Sequence, residues 1–297
     1  MTPEMDEPAS STSYVSVHRR LAHYRAQGDG PPVVLLHGIG RSLADWTEQQ
    51  ELLRDRFRVY SVDLAGFGKS DPLPGTHSLE SLAGFVADFL DAAGETRPAH
   101  LVGNSLGGAV AMQLSVRAPE RVRSLVLVNS AGFGREVTIA LRLLALRPLG
   151  RLLLRPSRAG ARRIERALFY DRAFVTDTRI NHALELARQP HAARVMLETV
   201  RDLGTFRGVR EGWRRTLLDA VAQRRLPALV VWGDRDLILP ALHLEAARRH
   251  LPYAQTRLLT DTGHMPQIER AVEFHRMVTG FWAAIPEVPE NYGQVSK

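Results

Sequence analysis

Residues 101–108, with the sequence LVGNSLGG, place one serine among glycines between two apolar segments. The preceding residues, RPAHLVGN, predict a short buried strand, and the following residues, LGGAVAMQLSVRAPE, predict a helix that Pro119 ends. Glycine and serine are common in turns, so the pentapeptide alone would indicate only a turn. The strand, turn and helix together predict that Ser105 projects from a sharp turn as a nucleophile.

Three neighbours of Ser105 are predicted to support this turn. Gly103 and Gly107 carry no side chains, so the strand and the helix can approach closely while Ser105 adopts strained backbone angles. Asn104 lies between Gly103 and Ser105 and completes the predicted supporting set on this segment.

Strand and helix patterns alternate on both sides of the serine turn. Two strands are predicted over residues 14–27, further strands at 33–36 and in RVYSVDL and VRSLVLV, and a helix in SLESLAGFVADFLDAAG. The core pattern ends with the strands LPALVVWG and TRLLT and with helices near residues 241–250 and 266–282. This order predicts an α/β fold with a mostly parallel central sheet flanked by helices, and ligands bind such sheets at the carboxyl ends of the strands.

The pattern changes after Gly134, where helices rich in leucine, alanine and arginine follow, broken at Pro148, Pro156 and Pro190, without a strand-like run. We therefore predict an inserted helical cap over residues 135–225. The core is predicted over residues 14–134 and 226–297, and a flexible tail over residues 1–13.

Composition limits the classes of function. The net charge of +7 comes mostly from the cap, which holds 20 arginines against 9 acidic residues. Exposed aromatics or a docking motif would accompany nucleic-acid binding and neither is found, so we predict no nucleic-acid partner. Without cysteine there is no disulfide, cysteine nucleophile or thiolate metal site. A serine nucleophile of the kind predicted at Ser105 requires no metal or organic cofactor, so we predict none. The first residues lack a secretory pattern and the longest apolar run is broken by arginines, so a cytoplasmic location is expected. The oligomeric state is left open.

A serine nucleophile needs a base and an acid that orients the base. His264 directly follows Gly263 beyond the strand TRLLT, and Asp236 lies just beyond the strand ALVVWG, so both are expected at the same sheet edge as Ser105. Asp234 competes with Asp236 for the role of the acid, and either could cap the turn before Leu237. We prefer Asp236, which directly precedes the apolar LILP and lies deeper in the loop.

The alkoxide that forms during such a reaction needs backbone donors that are already in place. We predict the N–H groups of Leu106 and Ile39 as this oxyanion hole. Gly38 keeps the HGIG loop close to the serine, and His37 is predicted to hold that loop through hydrogen bonds rather than to act as a second base.

The segments LLHGIGRSLADW, VDLAGFGKSD, LVGNSLGGAVAMQ, VVWGDRDLILP and TGHMPQIE resemble the α/β-hydrolase superfamily, in the chain order Ser105, Asp236, His264. The resemblance covers residues 30–134 and 226–283 but not the cap. In residues 63–70 the histidine usual in that superfamily is replaced by Phe67, so we expect this loop to be structural. A serine nucleophile argues against the haloalkane dehalogenase and epoxide hydrolase branches.

This resemblance implies a hydrolase that cleaves an apolar small-molecule ester or a lipid through an acyl-enzyme. The alternative is a carbon–carbon bond hydrolase, because GNSLGG followed by LVNSAGFG is similar to the hydrolases of meta-cleavage products. That family usually has Gly-Pro-Gly in the oxyanion loop, Trp-x-Asn after it and tryptophan after the catalytic histidine, whereas this chain has HGIGRS, Trp46-Thr47-Glu48 and Met265. A second alternative is a non-catalytic ligand-binding protein of the same fold.

The cap also carries a repeating pattern: Arg147, Arg151 and Arg155 recur every fourth residue, and Leu144, Leu149, Leu152 and Leu153 fall between them. This spacing predicts a helix with one polar and one apolar face, bent or interrupted near Pro148. Either the apolar face packs on the rest of the cap, or the segment is a mobile lid whose arginines make a peripheral contact with anionic lipid or meet a substrate carboxylate.

Overall fold

The computed structural model describes residues 12–286. Its strands are β1 (Ser13–Val17), β2 (Arg20–Gln27), β3 (Pro32–Leu36), β4 (Arg58–Val62), β5 (Ala99–Asn104), β6 (Val122–Val128), β7 (Gly204–Thr205), β8 (Gly208–Val209), β9 (Ala228–Gly233) and β10 (Gln255–Leu259). Its helices are α1 (Thr47–Leu53), α2 (Leu79–Ala92), α3 (Leu106–Arg117), α4 (Ile139–Leu144), α5 (Arg147–Leu153), α6 (Arg158–Leu168), α7 (Asp177–Ala187), α8 (Ala192–Leu203), α9 (Glu211–Arg224), α10 (Leu242–His250), α11 (Pro266–Glu269) and α12 (Ala271–Ala283). The predicted tail lies outside the described residues up to residue 11, and β1 begins at its last residue, Ser13.

Eight strands form one sheet in the order β1-β2-β4-β3-β5-β6-β9-β10. Only the pairs β1–β2 and β2–β4 are antiparallel, which confirms the predicted α/β class with a mostly parallel sheet. In this order, β4 lies on one side of β3 and β5 lies on its other side. Neighbouring loops therefore diverge at the carboxyl ends of β3 and β5, which creates the crevice where ligands bind in such sheets.

Helices cover both faces of this sheet because its central strands are apolar on both sides. In β3, Val34 and Leu36 belong to the core under α2, α3, α9 and α10, whereas Val33 and Leu35 belong to the core under α1 and α12. All five residues of β3 and all six of β5 are buried. Such continuous apolar strands are typical of a parallel sheet covered on both faces, and they hold the loops at the sheet edge on a rigid support.

The segment between β6 and β9 differs from the prediction in two respects: it contains two short strands, and one of its helices packs in the main core. It contains a two-stranded antiparallel hairpin, β7–β8, where we predicted helices alone. Two-residue strands separated by two residues are too short to give a pattern of alternation. In addition, α9 lies within the predicted cap range of residues 135–225, but its Leu217, Leu218 and Val221 belong to the main core and the helix packs against α3.

Two predicted helices are interrupted. The helix expected over residues 266–282 consists of α11 and α12, separated at Arg270, whose backbone is not helical. The arginine-rich helix consists of α4 and α5, and Pro148 lies in the first turn of α5, where its missing N–H removes no hydrogen bond. Among the described residues, no helix combines the length and the apolar character needed to cross a membrane.

Candidate active site

Ser105 stands at the carboxyl end of β5 and immediately before α3, in a strained backbone conformation. Its φ of 55° and ψ of −115° are rare for a residue with a side chain. The surrounding chain maintains this conformation: the Ser105 N–H donates to the carbonyl of Val128 at 3.0 Å, and its carbonyl accepts from Ala131 at 3.0 Å. The serine is thus fixed by β6 as well as by its own strand.

The predicted glycines are required by close approach of the chain. A Cβ on Gly103 would lie 2.3 Å from the carbonyl carbon of Gly107, and a Cβ on Gly107 would lie 2.1 Å from the carbonyl oxygen of Leu36. Both distances are shorter than real Cβ atoms allow, and the opposing atoms belong to the backbone. Side chains at these positions would force β3, β5 and α3 apart.

His264 lies beyond β10, with its Nδ1 at 2.7 Å from Oδ2 of Asp236, and both side chains are buried. Asp236 accepts three further hydrogen bonds: from Asn129 Nδ2 at 2.6 Å, and from the N–H groups of Ile238 and Leu239 at 2.7 and 3.0 Å. This network fixes the carboxylate, and the carboxylate fixes the ring of His264. A proton on Nδ1 leaves Nε2 as the nitrogen that can accept another.

Asp234, the competing acid, serves a different purpose. Its Oδ1 accepts from the N–H of Thr262 at 3.2 Å, and its Oδ2 lies 3.5 Å from Nε of Arg235. Neither oxygen bonds to His264. The structure therefore brings Asp236, and not Asp234, to the histidine, while Asp234 supports the loop that leads to it.

Asn104 joins the serine and histidine loops. Its Nδ2 donates to the carbonyl of His264 at 2.9 Å and to that of Val128 at 3.2 Å. Within residues 12–286, no hydrogen bond joins the Ser105 hydroxyl to the His264 imidazole. In enzymes without substrate such contacts are often long and tighten only in the complex, so the arrangement remains compatible with proton transfer between the two.

Asn129 is a supporting residue that sequence analysis did not identify. It follows β6 with a φ of 43°, donates to Asp236, and accepts from the N–H of Gly233 through Oδ1 at 3.3 Å. Its signal in the sequence was its place at a carboxyl strand end, directly after VRSLVLV. That position alone does not reveal a partner more than 100 residues away.

His37, for which we predict a supporting role, uses both ring nitrogens in hydrogen bonds near the loop after β3. Its Nδ1 donates to the carbonyl of Gly38 at 2.7 Å, and its Nε2 accepts from the N–H of Leu64 at 3.0 Å. The ring is fully buried, and this loss of solvation lowers its pKa, so the imidazole is neutral. Both nitrogens are occupied, which leaves no free site for a second base.

The two predicted oxyanion donors flank the serine. A Cβ on Gly38 would lie 3.3 Å from Cβ of Ser105, so the loop that carries Ile39 runs close to the serine. Ile39, Ser105 and Leu106 line one cavity. No acceptor within the described part of the chain takes a hydrogen bond from the N–H of Ile39 or of Leu106, so both donors remain free for a substrate oxygen.

The loop over residues 63–70 is structural, as expected. Asp63 accepts hydrogen bonds from the N–H of Leu43 at 2.6 Å and of Lys69 at 2.8 Å, and its Oδ2 lies 2.6 Å from His23 Nδ1. Phe67 packs edge-on to His37, with ring centroids 6.0 Å apart.

Helix α6 contacts both loops of the site. The guanidinium of Arg41 binds both oxygens of Asp45 at 2.7 and 2.8 Å and Oε1 of Glu165 at 2.5 Å, and all three side chains are buried. Burial opposes the charge of Arg41, but the two carboxylates outweigh it and hold its pKa above the usual range. In the same last turn of α6, the carbonyl of Leu168 accepts from the N–H of His264 at 2.7 Å.

The cavity beside Ser105 has an empty volume of about 590 Å³ and is almost wholly apolar. Helices contribute Leu141, Leu203 and Trp213, and the hairpin β7–β8 forms one wall. The hairpin missed by sequence analysis is therefore part of the candidate substrate site.

Known proteins were compared with this chain. A family model described as the alpha/beta hydrolase fold matches residues 31–271. The chain is 34% identical over 274 residues to the dihydrolipoyllysine-residue acetyltransferase component of the acetoin cleaving system of Cupriavidus necator, covering 92% of this chain and 69% of the relative. It is 27% identical over 267 residues to 2-hydroxy-6-oxo-6-phenylhexa-2,4-dienoate hydrolase of Comamonas testosteroni, covering 88% and 91%. Among solved structures, a membrane phospholipase A aligns with a TM-score of 0.77 at 26% identity, covering 94% and 87%.

Proposed function

This chain belongs to the α/β-hydrolase family, and on that basis we propose that it hydrolyses a carboxylic ester of an apolar small molecule or lipid through an acyl-enzyme on Ser105. The observation that carries the proposal is the 2.7 Å contact between His264 Nδ1 and Asp236 Oδ2. Asn104, which directly precedes Ser105, donates a hydrogen bond to the carbonyl of His264, and Ser105 itself lines an apolar cavity.

The reaction begins when the Ser105 hydroxyl attacks the ester carbonyl and His264 Nε2 takes its proton. Asp236 holds the ring in the tautomer that leaves Nε2 free and stabilises the imidazolium that forms. The carbonyl oxygen becomes an alkoxide, which accepts from the N–H groups of Ile39 and Leu106. The alcohol leaves with the proton of His264, and water then attacks the acyl-enzyme by the same sequence of steps.

A second candidate is carbon–carbon bond hydrolysis, which the likeness to the Comamonas testosteroni hydrolase favours. Met265 after the histidine and Thr47-Glu48 after Trp46 depart from that family's usual residues, so we place this reaction second. The name of the Cupriavidus necator relative describes an acetyltransferase component. An acyl group on Ser105 would equally serve transfer to an acceptor other than water, so acyl transfer is a third outcome to test.

The test combines active-site labelling with a substrate panel. We expect a fluorophosphonate to label wild-type protein but not Ser105→Ala, and aryl esters of graded chain length to be hydrolysed with a loss of about 10³- to 10⁶-fold in kcat for this variant. A vinylogous diketone acid tests the second candidate. Faster turnover of that acid than of any ester would reassign the reaction, and absence of labelling would indicate a ligand-binding protein.

A further inference from the structure

The apolar cavity beside Ser105 adjoins a surface depression between the start of α4 and the loop after β9. Val137, Arg142 and Ile238 line both the cavity and this depression, so the two adjoin at these side chains, and we take the depression as the entrance to the cavity. Arg135 and Arg207 complete the charged rim of the depression. We call Arg135, Arg142 and Arg207 the arginine rim.

Exposed apolar side chains lie between these arginines. Ile139 and Leu237 line the same depression with exposed fractions of 67% and 61%. Exposed large apolar groups at the entrance of an apolar cavity favour contact with a hydrocarbon chain, whereas the guanidinium groups favour an anion. The entrance thus combines the two chemical features of an anionic amphiphile.

The arginine rim keeps its charge available. Arg135 Nε donates to the carbonyl of Arg207 at 3.0 Å, and Arg142 Nε donates to that of Phe206 at 2.8 Å, which positions these two guanidinium groups by one nitrogen each. None of the three forms an ion pair within residues 12–286. The one carboxylate in the depression, Glu136, lies 3.2 Å from Nε2 of His243. Three guanidinium groups against one carboxylate leave the entrance positive.

We propose, on the premise that the chain is an ester hydrolase, that the arginine rim binds a carboxylate or phosphate group of the substrate, whose apolar part fills the cavity up to Ser105. Guanidinium forks match the planar or tetrahedral oxygens of these groups better than a neutral end group. The substrate is therefore an anionic amphiphilic ester rather than a wholly apolar one.

The test compares two esters that differ only in charge at the far end: the p-nitrophenyl monoester of suberic acid and the matched ester of its monoamide. A second pair, butyrate esters of an ω-hydroxy acid and of its amide, carries the charge on the alcohol side. All four esters are used at concentrations below those at which they aggregate. In one pair or the other, we expect wild-type protein to favour the anion by about three- to tenfold in kcat/KM, since a half-exposed charged contact contributes at most ~1.4 kcal/mol.

In Arg135→Gln/Arg207→Gln and in Arg142→Gln, this ratio should fall toward one, mainly through the KM of the anionic ester, and Arg142→Lys should keep part of it. The control is Arg163→Gln, an exposed arginine of α6 outside the depression, which should keep the wild-type ratio. Equal ratios in all variants overturn the inference, as does an arginine effect seen only on anionic phospholipid vesicles. If neither the anionic nor the neutral esters are hydrolysed, the result contradicts the proposed ester hydrolase function and not only the role of the arginine rim.

Discussion

The two aspartates of the sequence GDRD differ at the residue scale in what they bind. Asp236 accepts four hydrogen bonds, one of them from His264, whereas Asp234 accepts one from the main chain of Thr262. Sequence position alone left both as candidates, because they stand two residues apart in one loop. Their separation in function depends on which side of that loop faces His264.

We predict that Asp236→Asn lowers kcat by several orders of magnitude, because an amide that donates to Nδ1 stabilises the wrong tautomer of His264. Asp234→Asn should cost less than about tenfold, since a single surface-loop hydrogen bond contributes only ~1 kcal/mol. Steady-state kinetics on one aryl ester, with circular dichroism to verify folding, checks both variants. The opposite ranking would make Asp234 the acid.

At the scale of elements, α6 and α7 contact the segment that follows the oxyanion loop. Besides the bond from Arg41 to Glu165, Ser42 Oγ lies 2.8 Å from His182 Nε2, and Arg179 donates to Glu48 at 3.1 Å. Arg41 is only two residues from Ile39, so these contacts position a proposed oxyanion donor as well as the two helices.

Glu165→Gln should therefore reduce kcat by about three- to tenfold with little change in KM, because a displaced Ile39 N–H weakens binding of the alkoxide more than that of the substrate. Kinetics and thermal unfolding are measured together. The matched control is Glu185→Gln on α7, which is exposed and forms no ion pair within the described residues. If Glu165→Gln has a lower melting temperature but an unchanged kcat, Glu165 stabilises the fold and does not position the oxyanion donor.

Helix α5 presents a different surface. Leu144, the last residue of α4, is buried, but Leu152 and Leu153 of α5 are 54% and 48% exposed, so the predicted apolar face is only partly packed. Arg147, Arg151 and Arg155 are exposed and form no ion pair among residues 12–286. Peripheral contact with anionic lipid stays a prediction, for which exposed leucines beside unpaired arginines provide the chemistry.

We predict that wild-type protein sediments with anionic but not with neutral vesicles, and that binding weakens between 0.1 M and 1 M salt as the Debye length falls from about 10 Å to about 3 Å. Arg147→Gln/Arg151→Gln/Arg155→Gln should bind less. A variant with the same change in charge outside the cap, Arg19→Gln/Arg20→Gln/Arg257→Gln, serves as the control. Equal sedimentation of all three proteins would leave only a packing role for α5.

For the whole molecule, buried histidines connect stability to pH. Burial lowers the pKa of His37, His77 and His243, and burial together with Arg123 lowers that of His100 to about 3. The ordinary value is 6.5, so below that pH the unfolded chain binds protons that the folded chain does not. Stability must then fall as pH decreases, before most carboxylates begin to titrate.

We expect the free energy of unfolding, measured in urea, to be nearly constant above pH 7 and to fall between pH 6.5 and 5 by up to ~1.4 kcal/mol per pH unit for each such histidine. His100→Gln removes one group that the unfolded state would protonate, so its stability should depend less steeply on pH. An unchanged slope in this variant, or a flat profile between pH 7 and 5, would contradict the assignment.

The features of this protein that depend on local sequence patterns could be predicted without the structure. Apolar strands, amphipathic helices and the glycines around Ser105 are readable within a few residues, so the α/β fold and the strand-end positions of Ser105, Asp236 and His264 could be predicted. The family resemblance followed from the same segments. The irregular region between β6 and β9 lacked such signals, and there the hairpin β7–β8 and the packing of α9 were missed.

Contacts between groups that are distant in sequence became visible only in the folded chain. Asn129 binds Asp236 from 107 positions away and Arg41 binds Glu165 from 124 positions away. Such contacts form when loops from separate strands close on one sheet edge, and their energy depends on distance and burial that no local pattern records. For the same reason, the position of the arginine rim beside the apolar cavity is a property of the folded chain, because their residues come from segments that only folding brings together.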